Sequence, residues 1–194
     1  MKYPWTLISL AAVTVATLGF IGTAVGDDDD EHERYEHERS SSWWGMKRGV
    51  ASVMNEDYKA ECGSCHTAYP AGLLPVRSWD KLMANLDNHF GDNAELMPDQ
   101  HKVVRQYLVE NAADAAGYRT SAKILRTIVP DEAPLRITKT RYFVAKHDEV
   151  PTRLVEKNPD VGSFSNCSAC HKDAEKGYFN EHDVRIPGYG RFDD

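Results

Sequence analysis

The pentapeptides "CGSCH" at residues 62–66 and "CSACH" at residues 167–171 use all four cysteines of this 194-residue chain. A Cys-x-x-Cys-His run is typical of c-type haem attachment: two thiols add to the vinyl groups of one porphyrin, and the adjacent histidine binds the iron. The sequence therefore predicts two covalently bound haem c groups. The predicted cofactor-binding residues are Cys62, Cys65, His66, Cys167, Cys170 and His171.

A zinc site is the main alternative for four cysteines in two pairs. The pairs lie about 100 residues apart, and they would have to converge on one ion, whereas typical zinc motifs are closer in sequence. A histidine directly after each second cysteine would then be coincidence. Two haem sites are the better interpretation.

The N-terminal segment resembles an export signal. Lys2 precedes a stretch without charge that lasts until Asp27, and Ala24 and Gly26 are small residues that suit cleavage after residue 26. The stretch is also long enough for a membrane span of ~20 residues. Residues 1–26 are thus a signal peptide or, over residues 5–26, a retained anchor. Either places the rest of the chain in the periplasm.

The net charge of −7 is concentrated in one segment. Residues 27–39 carry eight acidic residues and two arginines, and we interpret residues 27–42 as an acidic disordered linker. The sequence after this linker has a net charge of only about −2. No basic stripe with interleaved aromatic residues is present in the sequence, so the composition argues against nucleic-acid binding.

Apolar periodicity predicts a mainly α-helical fold. We expect one helix leading from residue 43 into the first motif, a second over residues 77–91 with Ser78 as its N-cap, and a third over residues 98–113. A fourth lies near residues 120–129. Beyond Pro130 the periodicity fades. We place haem domain 1 at residues 43–114 and haem domain 2, with little regular secondary structure, at residues 115–194.

The second axial ligand of the first haem has two candidates of nearly equal merit. His89 lies at the end of the second predicted helix, whose apolar stripe would pack on the haem. Met97 directly precedes the third helix, where small cytochromes often place an axial methionine. His101 is expected on the polar side of that helix. Spacing alone leaves the choice between His89 and Met97 open.

For the second haem, only 23 residues follow His171, so little chain remains to build a distal side. His182 lies there, 11 residues after His171, whereas His147 lies 20 residues before Cys167 and follows an apolar cluster. The sequence favours His147 over His182.

Five stretches resemble the dihaem cytochromes c of phototrophic and related proteobacteria, a family associated with the sphaeroides haem protein as electron acceptor. The resemblance covers about residues 44–194, in "ECGSCHTAYPAGLLPVRSW", "LMANLDNHFGDNAEL", "YLVENAADAAG", "LRITKTRYFVAKHDEVP" and "SFSNCSACHKDAEKGYFNEHDVRIPGYGR". It implies an N-terminal half like a class I cytochrome c and a C-terminal half with little regular structure. It also implies bis-histidine ligation, with the iron ligands His66, His89, His171 and His147.

Bis-histidine ligation would leave no iron position for a substrate, so the resemblance implies a carrier of single electrons and not an enzyme. The implied partners are a quinol-linked or b-type membrane cytochrome as donor and a soluble haem protein as acceptor. Two alternatives stay open from the residues: an electron-transfer subunit of a larger membrane or reductase complex, and a haem peroxidase or small-ligand reductase.

Overall fold

The computed structural model describes residues 46–192. The predicted signal peptide or anchor over residues 1–26 and the predicted linker over residues 27–42 lie outside the described residues. Among helices of the described residues, none has both the length and the apolar character that a membrane span requires.

Helices dominate the regular structure of residues 46–192. The six α-helices are α1 (Glu56–Cys62), α2 (Val76–Met83), α3 (Pro98–Glu110), α4 (Arg119–Leu125), α5 (Arg141–His147) and α6 (Cys167–Cys170). Five short 3-10 turns lie at Ala71–Leu73, Leu86–Asn88, Ile137–Lys139, Thr152–Leu154 and Glu181–Asp183. Two antiparallel strands of two residues each, β1 (Arg185–Ile186) and β2 (Gly190–Arg191), complete the described part.

Helix α1 is shorter than the sequence predicts. The Asn55 side chain accepts a hydrogen bond from the Tyr58 N–H and caps the helix at residue 56. The preceding residues 46–55 are not helical, so the expectation of a helix from residue 43 is wrong there. The reason is long-range pairing: the N–H groups of Val50 and Val53 donate to the carbonyls of Gly177 and Glu175, at 3.0 and 2.8 Å.

Helix α2 also departs from the prediction at both ends. It begins after Pro75, and its first N–H, that of Val76, is capped by the distant Asp114 carboxylate at 2.8 Å. Ser78 is therefore not the N-cap but a buried residue inside the helix. The helix ends at Met83, so His89 lies beyond it, at the end of the 3-10 turn Leu86–Asn88.

The main core lies between α1, α2 and α3. Helix α3 begins at Pro98, as the sequence predicts, and buries Val104 and Leu108 against α2. Trp79 of α2 is 5% exposed, and its indole N–H donates to the Ala71 carbonyl at 2.7 Å. The buried residues of this cluster are Val53, Tyr58, Ala68, Ala71, Leu74, Trp79, Met83, Val104, Leu108 and Ala112.

The chain after Pro130 has little regular structure, which confirms the mainly helical fold with an irregular second half. Its longest helix, α5, has seven residues and is capped by the Thr140 hydroxyl. The two halves contact each other closely; for example, the buried Ser121 hydroxyl donates to the Gly72 carbonyl at 2.8 Å. The described residues belong to one compact unit, Ser42–Asp194. The division into two haem domains near residue 114 stays a prediction.

The contact between residues 50 and 177 can be tested with two glycines of similar backbone conformation. Gly177 has φ +77° and lies against the Val50 carbonyl, whereas Gly162 has φ +73° and open space within 4 Å of the place where a Cβ would lie. Alanine at residue 162 meets only backbone strain, and we expect a loss of about 1 to 2 kcal/mol in the free energy of unfolding. Gly177→Ala adds a steric clash and should cost about 3 kcal/mol or more.

Urea unfolding of both holoprotein variants measures the difference. Equal losses for Gly162→Ala and Gly177→Ala would contradict the close approach of the two segments.

Candidate haem sites

The first Cys-x-x-Cys-His motif begins at the last residue of α1. Cys62 ends the helix, and Gly63 continues with helical backbone angles, so that the chain turns toward Cys65 and His66. The Nδ1 of His66 lies 2.8 Å from the Thr67 carbonyl. A carbonyl only accepts hydrogen bonds, so Nδ1 carries the hydrogen and Nε2 carries the lone pair. This is the tautomer that a haem ligand requires.

His89 faces His66 from a tight loop. Its N–H donates to the Asp92 carbonyl at 2.7 Å, and the Asp92 N–H donates back at 3.3 Å. The His66 and His89 ring centroids lie 6.1 Å apart, with an angle of 23° between the ring planes. Two imidazoles bound to opposite sides of one metal ion, at about 2 Å per bond, have centroids about 6 Å apart. The spacing fits one iron between the two rings.

The environment of His89 suits a neutral ligand. Burial lowers its pKa, and the neighbouring His66 and Arg136 side chains lower it further. Its Nδ1 is buried and has no hydrogen-bond partner among the described residues. A buried donor of this kind needs a partner that the described residues do not supply, such as an ordered water.

The two other candidates for the first iron lie elsewhere. Met97 is 70% exposed at the N-terminal end of α3. The Nε2 of His101 is hydrogen-bonded to the Met83 carbonyl at 2.9 Å, which fixes this ring against α2. Among the described residues, neither Met97 nor His101 lies opposite the His66 ring as His89 does.

The second motif forms helix α6, a single turn with Cys167 and Cys170 at its two ends, three residues apart and on the same side. The His171 N–H donates to the Cys167 carbonyl at 2.9 Å and holds the histidine directly after the turn. Burial, and then the neighbouring His147, lower the pKa of His171 to about 4, so its imidazole is neutral at pH 7.

His147 faces His171 from the last residue of α5. The two ring centroids lie 6.1 Å apart, with the planes at 78°. The His147 Nδ1–H donates to the Phe143 carbonyl at 2.9 Å, and the ring stacks on the Phe143 ring with centroids 3.9 Å apart. As in His66, the Nδ1–H of His147 is hydrogen-bonded to a carbonyl, so Nε2 is the nitrogen suited to iron.

A cavity of about 390 Å³ lies between these two histidines, within the size range of cofactor sites. His147, His171, Cys167 and Cys170 line it. The apolar part of its wall includes Leu73, Phe143, Val155, Phe164, Phe179 and Ile186. Burial raises the pKa of the Cys167 thiol to about 11, so the cavity favours an uncharged sulfur, as in a thioether. The residues present therefore fit a covalent haem. His182 is exposed and is not part of this wall.

Tyr69 connects the two sites, a role that the sequence did not indicate. Its ring stacks on His66 with centroids 5.0 Å apart, and its hydroxyl donates to the Ser165 carbonyl at 3.0 Å. Ser165 lies two residues before Cys167. One side chain thus touches the proximal histidine of the first site and the attachment segment of the second. No local sequence pattern reveals a hydrogen bond across 96 positions.

The chain has two Cys-x-x-Cys-His turns, and opposite each motif histidine lies a second histidine at a spacing that fits one iron between them. These features define a c-type cytochrome with two haems. A family model for dihaem cytochrome c matches residues 58–179, and the chain belongs to this family. The structural resemblance to solved members extends over most of the described residues. None of the curated proteins compared with the chain matches it.

Two solved structures illustrate the similarity. A dihaem cytochrome type c from Shewanella baltica OS155 is 50% identical, with a TM-score of 0.59, and the match covers 72% of this chain and 98% of that chain. A dihaem cytochrome c from Rhodobacter sphaeroides is 45% identical, also with a TM-score of 0.59, and the match covers 67% of this chain and 99% of that chain. These matches confirm the resemblance, the fold class and the two covalent haems expected from the sequence. The axial ligand pairs stay a prediction.

Tyr69→Phe tests the connection between the sites. The variant keeps the ring that stacks on His66 and removes the hydroxyl that the Ser165 carbonyl uses. We expect a loss of about 1 kcal/mol in the free energy of unfolding of the holoprotein. Tyr178→Phe is the matched control, because Tyr178 is 52% exposed. A loss no larger than that of the control would contradict the bridge.

Proposed function

We propose that this protein is a periplasmic electron carrier in which both irons are ligated by two histidines. The observation that carries the proposal is the repeated spacing: His66 and His89, and His171 and His147, each have ring centroids 6.1 Å apart. Two unrelated segments of one chain reach the spacing of a ligated pair of imidazoles. The haems supply a one-electron Fe(III)/Fe(II) couple when bound.

The chain's own residues hold the ligands in place before any change in oxidation state. Carbonyls of Thr67 and Phe143 fix the tautomers of His66 and His147. Aromatic rings restrain the ring planes: Tyr69 stacks on His66, Phe143 stacks on His147, and Phe179 contacts His171 edge-on at 5.4 Å. Ligands that are already oriented change little between the two states, which suits rapid electron exchange.

Electron transfer is favoured over catalysis at iron because a histidine occupies each distal position. A peroxidase or a small-ligand reductase needs one open axial position for its substrate. Distal histidines also predict a lower reduction potential than in methionine-ligated cytochromes c. The family membership of the chain supports the same class of function.

We further propose a quinol-linked or b-type membrane cytochrome as electron donor and a soluble haem protein as acceptor. The family resemblance suggests these partners, and the export segment over residues 1–26 supports the periplasmic location. Covalent haem attachment is consistent with a compartment reached by export. Redox titration in the presence of each candidate partner would test the direction of electron flow.

His147→Ala tests the distal ligand of the second site. Cys167 and Cys170 keep the haem attached, but the iron loses one strong-field ligand, so one of the two haems should become high-spin or water-ligated in the ferric protein. His182→Ala is the control and should leave both haems low-spin. The visible absorption spectrum measures the change. A low-spin second haem in His147→Ala, lost in His182→Ala, would assign the ligand to His182.

The ring angles predict two different electron paramagnetic resonance signals. Nearly parallel rings, as in the pair at 23°, split the iron d orbitals more than nearly perpendicular rings, as in the pair at 78°. The ferric protein should therefore give one ordinary rhombic low-spin signal and one highly anisotropic low-spin signal. His147→Ala should remove the anisotropic signal, and His89→Ala the rhombic one. Two identical rhombic signals would contradict this geometry.

A further inference from the structure

Basic side chains are concentrated in one segment of this acidic chain. Residues 119–146 contain seven basic and two acidic side chains, a net charge of +5 in a chain of net charge −7. One member of this segment, Arg136, lies at the first site, where its guanidinium is 3.8 Å from the centroid of the Phe90 ring. The basic segment contains α4 and α5, and α5 supplies His147 of the second site.

Two lysines of this segment lie at the edge of the second haem cavity. Lys123 of α4 and Lys146 of α5 both line the cavity and are both exposed. Arg119 is one helical turn before Lys123, so the two lie on the same side of α4. Lys146 is partly neutralised by Glu181 at 3.4 Å, whereas no carboxylate among the described residues lies within ion-pair distance of Lys123.

Lys47 extends the same surface from another part of the chain. The Arg119 N–H donates to the Lys47 carbonyl at 2.9 Å, and the Lys47 ammonium lies 5.4 Å from the centroid of the Tyr118 ring. The tight hydrogen-bonded contact places Lys47 beside the start of α4. We define Lys47, Arg119, Lys123 and Lys146 as the basic rim.

An exposed aromatic side chain lies next to the second site as well. Tyr178 is 52% exposed, and the following residue, Phe179, packs against the His171 ring. Tyr178 also approaches Gly49, two residues after Lys47. Tyrosine together with a ring of charged residues is typical of sites where two proteins meet, with the aromatic residue as anchor.

We infer that the basic rim docks an acidic electron-transfer protein against the second haem site. The inference rests on the proposed function, because it presumes that electrons leave or enter at a haem edge. Positive charge around the cavity steers an acidic partner toward this edge and raises the association rate at low ionic strength.

Binding of an acidic flavodoxin to the ferric holoprotein provides the test, measured by isothermal titration calorimetry at low ionic strength. Lys47→Glu together with Lys123→Glu should weaken binding about tenfold, because attraction becomes repulsion. Lys102→Glu, an exposed position on α3, is the control for the same kind of charge change and should weaken binding less than about twofold. Equal effects at the rim and at Lys102 would refute the docking surface.

Carbodiimide cross-linking locates the contact directly. Cross-links from flavodoxin carboxylates should form at Lys47 and Lys123 and disappear at high ionic strength. Cross-links mainly at Lys102 or Lys157 would overturn the assignment. If the rim variants lost binding to phosphatidylglycerol vesicles but kept flavodoxin binding, the rim would be a membrane surface and the inference would be wrong.

A further measurement separates this inference from the proposed function. The spectra and the redox titration of the unmodified holoprotein report whether both haems are low-spin and reversibly reduced by one electron each. If the haems were high-spin or not reversibly reduced, the proposed function would be rejected. The cross-links at Lys47 and Lys123 would then still be evidence for an acidic partner. Normal haems with flavodoxin cross-links away from the rim would reject the docking surface alone.

Discussion

The structure depends on a short distance between two histidines, repeated in each half of the chain. A covalent haem with a protein ligand on each face of its iron can act as the core of a small domain, and each 6.1 Å pair has the spacing for this. The main helical core of α1, α2 and α3 lies beside the first site, with Cys62 packed against it. The irregular second half has a cavity of about 390 Å³ where a helical protein would have apolar side chains.

The two facing histidine pairs lie in opposite chain order. At the first site the attachment motif comes first and His89 follows, on a loop held by mutual backbone bonds with Asp92. At the second site His147 comes first, at the end of α5, and the attachment motif follows. The short segment after His171 then only has to cover the cavity, with Phe179 and Ile186 in its wall. Tyr69 and the backbone pairing of Val50 and Val53 with the C-terminal segment join both sites into one unit.

Much of this arrangement could be predicted from the sequence, because covalent haem attachment requires adjacent residues in a fixed pattern. The motifs identify both haems, and Pro98 marks the start of α3. The errors arise where distant residues decide a local structure. The N–H groups of Val50 and Val53 donate to carbonyls near residue 175, and Asp114 caps α2 in place of Ser78. The basic rim is likewise invisible to any local motif, since it joins Lys47 to residues of α4 and α5.

The central claim is that histidine ligates both axial positions of both irons. Near-infrared magnetic circular dichroism of the ferric holoprotein tests it most directly, because the position of the charge-transfer band identifies the axial ligand pair of low-spin haem. The account predicts a band at the bis-histidine position with the intensity of two haems. A methionine–histidine band, which would implicate Met97 at the first site, or a high-spin spectrum from either haem would contradict it.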